Sequence, residues 1–213
     1  MSSIVEFIQT FLHRSQQVDN AMMLVVNREL THPLMDNLAL FMRESIFHIP
    51  LYLFLFFIAY QLLGKKAFWW IIAACTLIAI TDLLSSQLIK YTFNRIRPCR
   101  DPYMATQVRF LAKYCGSNPS FTSSHAMNHF AFAAFAASSF KGISKWVNLL
   151  FVWAAIISYS QVYVGVHYPS DVIVGGFMGI LLGWMGYGIT KQALSLHEPQ
   201  QWRNSLFFFF WSF

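Results

Sequence analysis

Charge is what this chain has least of: charged residues fill 11% of its 213 positions, and only nine of them are Asp or Glu. Soluble domains usually carry about 25% charged residues. Nine acids are too few to solvate the surface of a globule of this length, and the twenty-two Phe exceed what its core could hide. A water-soluble monomer is excluded on those grounds. Cysteine is scarce too. Cys75, Cys99 and Cys115 have no paired metal-ligand spacing, so a zinc site is not expected. The first thirty residues lack the basic start, apolar run and small-residue cleavage site of a signal peptide, and no removal is expected. The net charge of +6 could suggest nucleic acid, but the fifteen Lys and Arg lie at the ends of apolar stretches or in one short cluster. No nucleic-acid partner is expected.

What the chain has in abundance is apolar surface, with 56% hydrophobic and 18% aromatic residues. A spanning helix needs about 20 mostly apolar residues. Five runs approach that: Ile46 to Leu63, Ala67 to Tyr91, Ala126 to Phe140, Trp146 to Val166 and Val172 to Thr190. The third is short and holds Asn128 and His129, so it either continues back through Ser123 or faces other helices rather than lipid. Gly175, Gly179 and Gly183 recur every four residues in the fifth run, which strips one helix face and lets another helix approach. Residues 1–45 form an N-terminal segment in which Ile4 to Leu30 reads as an interfacial helix. Residues 46–191 are the membrane core, and residues 192–213 an aromatic C-terminal tail suited to the interface.

Alternation of the spans places the N-terminal segment, the long loop from Thr92 to about Thr122 and the link around His167 on one side. Lys65, Lys66, Lys141, Lys145 and Lys191 fall on the other, which short basic loops mark as cytoplasmic. The long loop's Arg95, Arg97, Arg100, Arg109 and Lys113 oppose that orientation unless they have a task in binding anions.

Three polar clusters lie at helix ends on the outer side. Lys90 and Arg97 are seven residues apart, two turns of a helix, so both cations are expected to converge on one anion. Arg presents a planar fork of donors to phosphate oxygens, and Lys a point charge. Taken alone, the pair also fits basic residues snorkelling at a membrane boundary. Ser120, Ser123, Ser124 and His125 precede the third run, where hydroxyls and free backbone N–H groups make an anion site beside a titratable imidazole. A plain Ser cap is the bland alternative. In the third cluster, Ser160 to Asp171, His167 and Asp171 are four apart around Pro169, so the carboxylate can hold one ring nitrogen and leave the other as base or nucleophile. Together the clusters supply cations, hydroxyls, two imidazoles and a carboxylate on one side of a membrane. That set suits phosphoryl transfer.

At these residues the sequence resembles the type-2 phosphatidic acid phosphatase family, whose motifs read KxxxxxxRP, PSGH and SRxxxxxHxxxD. Lys90 to Pro98 matches the first throughout. Thr122 to His125 matches the second in Ser123 and His125, with Ser124 in the usual Gly position. Ser160, His167 and Asp171 match the third, but Gln161 stands where the family has Arg, and Arg95 or Arg100 is expected to supply the missing charge.

The resemblance implies an all-α integral membrane helical bundle of five to six core helices acting as a metal-independent lipid phosphatase, with no metal and no cofactor expected. His167 would attack phosphorus to give a phosphohistidine, Asp171 would orient it, and His125 would protonate the leaving oxygen. Lys90, Arg97, Ser123, Ser124 and Gln161 would hold the phosphoryl oxygens. The implied substrate is a lipid phosphate such as undecaprenyl diphosphate, phosphatidylglycerol phosphate, phosphatidate or lipid A, met at the outer face of the inner membrane. A non-catalytic lipid-binding or transport homologue and a lipid phosphotransferase are the alternatives. Cys99 and Cys115 flank one outer loop, where an oxidising compartment would permit a bridge.

Overall fold

The computed structural model describes residues 2–141 and 145–195, and the aromatic tail expected over residues 192–213 lies mostly outside them. The described residues form helices joined by turns and one long loop. In chain order the helices are α1 (Ser2–Leu24), α2 (Pro33–Arg43), α3 (Ile49–Leu63), α4 (Lys66–Leu83), α5 (Lys90–Phe93), α6 (Ser124–Phe140), α7 (Leu149–Tyr163) and α8 (Pro169–Ala193). A π-helical turn, Leu84–Ile89, joins α4 to α5.

Four stretches are long and apolar enough to cross a membrane: Ser45–Leu63, Lys66–Phe93, Lys145–Tyr163 and Pro169–Ala193. Their outward faces carry large exposed side chains such as Phe54, Phe57, Trp69, Phe177 and Trp184, a coat tolerable only against lipid. The third expected run, α6, has 17 residues and lies inside the bundle, with Ala126, Met127 and an unbroken buried run from Ala131 to Ala137. Small Ala side chains let helices close around it. The protein is a multi-pass, all-helical membrane bundle.

The closest packing is between α6 and α8. A Cβ on Gly175, Gly179 or Gly183 would overlap the carbonyl oxygens of Ser123, Met127 and Ala131 respectively, so three glycines four apart meet three carbonyls four apart. Asn128 ties the other side of α6 to α4, accepting from the Thr81 hydroxyl at 2.8 Å and donating to Asp82 at 3.1 Å. Deeper in the bundle Trp70 packs on Phe135 and Phe140 and donates its indole N–H to Ser139. These contacts fix the N-terminus of α6 beside the N-terminus of α8.

Gly183→Leu should therefore destabilise the fold by about 2 kcal/mol or more. The unfolding midpoint in detergent should fall, while Gly188→Leu, beside open space, should leave it unchanged.

Candidate active site

Tyr168 caps α8, Pro169 sits at its first position, and Asp171 in the first turn reaches back to accept from the Tyr168 backbone N–H at 2.9 Å. The Asp171 carboxylate is completely buried, which requires every lone pair to be used. Arg95 donates to Oδ1 at 2.7 Å, and the Ser120 hydroxyl donates to Oδ2. His167 Nδ1 lies 3.3 Å from the same Oδ2.

A carboxylate only accepts, so Nδ1 carries the ring hydrogen and Nε2 keeps its lone pair. Arg97 Nη1 approaches that lone pair at 3.3 Å. Burial pushes the imidazole down to about 4; Asp171 opposes this, and the charges of Arg97 and Lys90 add to it. Near neutral pH His167 is therefore uncharged, with one nitrogen anchored and the other facing a guanidinium.

Arg95 does not supply the cation that Gln161 leaves missing. Its Nη1 also meets Ser170 at 2.7 Å, its Nη2 is spent on Asp19 and Gln16, and it lies 4.0 Å over the Tyr168 ring. Burial opposes its charge, but Asp171 and Asp19 outweigh burial and hold its pKa above the ordinary value. Arg95 clamps the carboxylate from behind and ties it to α1. Among the described residues Arg100 donates only to the Ser117 carbonyl, at 3.5 Å.

Lys90 and Arg97 do not share a helix face. Asn94 turns left-handed at φ 44° and ends the helix, so Arg97 leaves on a loop. Lys90 is buried, and its ammonium donates to the carbonyls of Thr122 at 2.7 Å and Pro119 at 3.1 Å. In this arrangement it braces the segment that delivers Ser120 and Ser123. Arg97 is held by the Asn118 carbonyl at 2.9 Å, the Asn118 side chain at 2.7 Å and the Val166 carbonyl at 3.2 Å. Cys99 and Cys115 are joined by a disulfide that closes the loop around these contacts.

Ser123 is the N-cap of α6 and accepts from the Ala126 N–H; its own backbone N–H donates to the Asp171 carbonyl at 3.1 Å. Ser124 bonds the Ser85 hydroxyl at 2.9 Å, and the first-turn N–H groups of α6 have no intrahelical acceptor. The His125 ring stacks on His129, and the charges of Arg43 and Arg97 are felt there. Below His125 a cavity of about 640 Å³ opens between α3, α4 and α6, lined by apolar Tyr52, Phe56 and Ile78 and by polar Asp82 and Asn128.

The sequence profile of the PAP2 superfamily matches residues 68–194, a stretch that contains His125, His167, Asp171, Lys90 and Arg97. The chain belongs to the PAP2 superfamily. A lipid A 4'-phosphatase of Porphyromonas gingivalis is 30% identical over 84% of this chain and 75% of its own length. One of Bacteroides thetaiotaomicron is 28% identical over 70% of this chain and 66% of its own. Phosphatidylglycerophosphatase B of Bacillus subtilis is 28% identical over 53% of this chain and 54% of its own. Among solved structures, Aquifex aeolicus LpxE superposes with TM-score 0.58 at 26% identity, covering 79% of this chain and 93% of that one. A Bacillus subtilis PAP2-type phosphatidylglycerolphosphate phosphatase has the same fold, with TM-score 0.60 at 22% identity over 90% of this chain and 98% of that one.

Within this PAP2 fold, three contributors were not singled out from the sequence. Asp19 of α1 accepts from the Ser170 backbone N–H at 2.9 Å and from Arg95 at 2.6 Å. Asn118 holds Arg97, and Arg43 of α2 donates to Gln161 at 3.2 Å. None lies in a motif. Asp19 and Arg43 are two charges among several in the N-terminal segment, and nothing in the sequence sets them apart.

The His167 imidazole should stay neutral from pH 8 to pH 5 in histidine 15N spectra of the micellar protein. Arg97→Ala should raise its pKa, because a positive neighbour that disfavours protonation is removed. Alkylation of the unfolded, non-reduced protein should modify a single thiol, that of Cys75.

Proposed function

We propose that the protein is a metal-independent lipid phosphatase that removes a phosphate monoester from lipid A, or from a lipid built like it, through a phosphohistidine on His167. The observation that carries this reading is the imidazole held by Asp171 through Nδ1, with Nε2 unprotonated and facing Arg97. A ligand site needs no such tautomer. A nucleophile does.

Nε2 attacks phosphorus as the bond to the lipid oxygen breaks, and His125 in its protonated form gives that oxygen its proton. Arg97 and the first-turn N–H groups of α6 meet the charge that builds on the phosphoryl oxygens. A water then attacks the phosphohistidine, neutral His125 accepts its proton, and phosphate leaves with His167 again neutral. The cavity below His125 lies on the leaving-group side, and its apolar walls suit the lipid portion of a substrate entering from the bilayer. The two relatives named lipid A 4'-phosphatase favour a glycolipid over the other lipid phosphates.

The site faces the outer side of the cytoplasmic membrane in this reading. The Cys99–Cys115 bridge suits an oxidising compartment. The cations that spoil a simple charge count have specific tasks: Arg95 pairs with Asp171, Arg109 with Asp36 and Lys113 with Glu44, while Arg97 stands at the site. With those set aside, the Lys-bearing short loops mark the opposite face as cytoplasmic.

The purified protein in detergent should release inorganic phosphate from lipid A without an added acceptor, and His167→Ala should abolish release. Phosphate appearing only when a second lipid is supplied would instead identify a phosphotransferase. Vesicle binding without release from lipid A, phosphatidate, phosphatidylglycerol phosphate or undecaprenyl diphosphate would refute the enzymatic reading.

A further inference from the structure

Cations outnumber carboxylates in this site, and one of them is unclaimed. Among the described residues Asp171 is the carboxylate buried beside His167, and Arg95 already pairs with it at 2.7 Å. Arg97 and Lys90 are bonded to carbonyls and, for Arg97, to neutral side chains. Arg43, at the end of α2, is half-buried and has no carboxylate within ion-pair distance among the described residues. Its single hydrogen bond runs from Nε to Gln161 Oε1, so neither Nη group has a partner among those residues. The Gln161 amide nitrogen is likewise buried without a partner. Two sets of unsatisfied donors thus lie side by side, and the Gln161 carbonyl accepts from the His167 backbone N–H at 3.3 Å.

Leaving the buried Gln161 amide nitrogen unpaired is costly, and collecting cations without an anion is costlier. Both costs vanish when a dianion enters. The charge of Arg43 is felt at Arg97, whose own pKa is lowered first by burial and then by this neighbour, and it is felt at His125. The guanidinium is bonded to the Gln161 side chain, and the Gln161 backbone carbonyl holds the His167 N–H, so Arg43 lies two hydrogen bonds from the chain that carries the imidazole.

The position is built rather than accidental. Asp36, seven residues earlier on the same face of α2, takes a bidentate ion pair from Arg109 at 2.8 Å on each oxygen and accepts from the buried Tyr163 hydroxyl at 2.6 Å. Those bonds hold the Asp36 carboxyl down to about 2. Asn27 locks the same corner, donating to the carbonyls of Arg109 and Tyr163 at 2.9 and 2.7 Å. α2 is thereby fastened to α7, and Arg43 is laid against Gln161.

We propose that Arg43, carried by the N-terminal segment, is a phosphate-binding residue of this site. It supplies across the α2–α7 contact the guanidinium that Gln161 lacks, while the Gln161 amide donates a neutral hydrogen bond to the same phosphoryl group. The proposal rests on the reading of the site as a phosphoryl-transfer centre.

Arg43→Gln keeps a side chain that can bond Gln161 and removes the charge. It should lower kcat/KM for phosphate release about 100-fold, and calorimetry should show orthovanadate affinity falling at least tenfold. The unfolding midpoint should stay within a few degrees. In the double variant Arg43→Gln/Gln161→Arg, with the guanidinium restored from α7, at least tenfold of the lost kcat/KM should return. A purely structural role would lower the midpoint without that rescue. The proposal is overturned by an Arg43→Gln protein that keeps both kcat/KM and vanadate affinity within threefold, or by loss without rescue in the double variant. Vanadate binding separates this result from the functional reading. A wild-type protein that binds vanadate through Arg43 but releases no phosphate would refute the enzyme reading and leave the anion site standing. If it does neither, both readings fall.

Discussion

A buried carboxylate must be fully satisfied, and around Asp171 that requirement organises the molecule. One oxygen draws in Arg95, and through it Asp19 of the N-terminal helix; the other gathers Ser120, the Tyr168 backbone N–H and His167. Arg95, Ser120 and the His167–Tyr168 turn are fastened directly to one side chain, and α1 is fastened to it through Arg95. The same bonds that relieve the burial cost fix the imidazole tautomer, so stability and reactivity share one source.

The carboxylate reaches this position because glycine allows it. Without side chains at Gly175, Gly179 and Gly183, α6 lies against α8 closely enough for the Ser123 N–H to bond the Asp171 carbonyl. The serine cap, His125 and the open first turn of α6 are then presented beside His167. The cations come from further away: Arg97 is held by Asn118 on the disulfide-closed loop, and Arg43 lies on a helix pinned through Asp36. A membrane-embedded backbone thus carries a polar site assembled mostly by the segments outside it. That arrangement suits a lipid whose headgroup must leave water and whose tails must not.

Composition and hydrophobic run length alone determined the class of protein, because a chain this short of charge has no soluble solution, and four of the five expected runs are helices fit to span a bilayer. Motif spacing likewise marked His167 and Asp171, since a four-residue interval across Pro169 is a local geometric relation that a helix start converts into contact. Gly175, Gly179 and Gly183 likewise marked one face of α8 as a helix contact, without saying which helix packs there. Where a relation is carried by consecutive backbone, sequence is enough.

The rest was decided by tertiary structure. Lys90 and Arg97 have a helical interval but no shared helix, because Asn94 turns the chain away and Lys90 goes to backbone carbonyls. Arg95 was a reasonable candidate for the charge missing at Gln161, yet it spends itself on Asp171 and Asp19. Arg43 lies 118 positions from Gln161, in a segment that reads as an amphipathic preface. Long-range electrostatic partners are chosen by which helices pack together, and no local spacing encodes that choice. The sequence by itself fixed a helical membrane bundle and the pairing of one His with one Asp; packing decided which cations surround them.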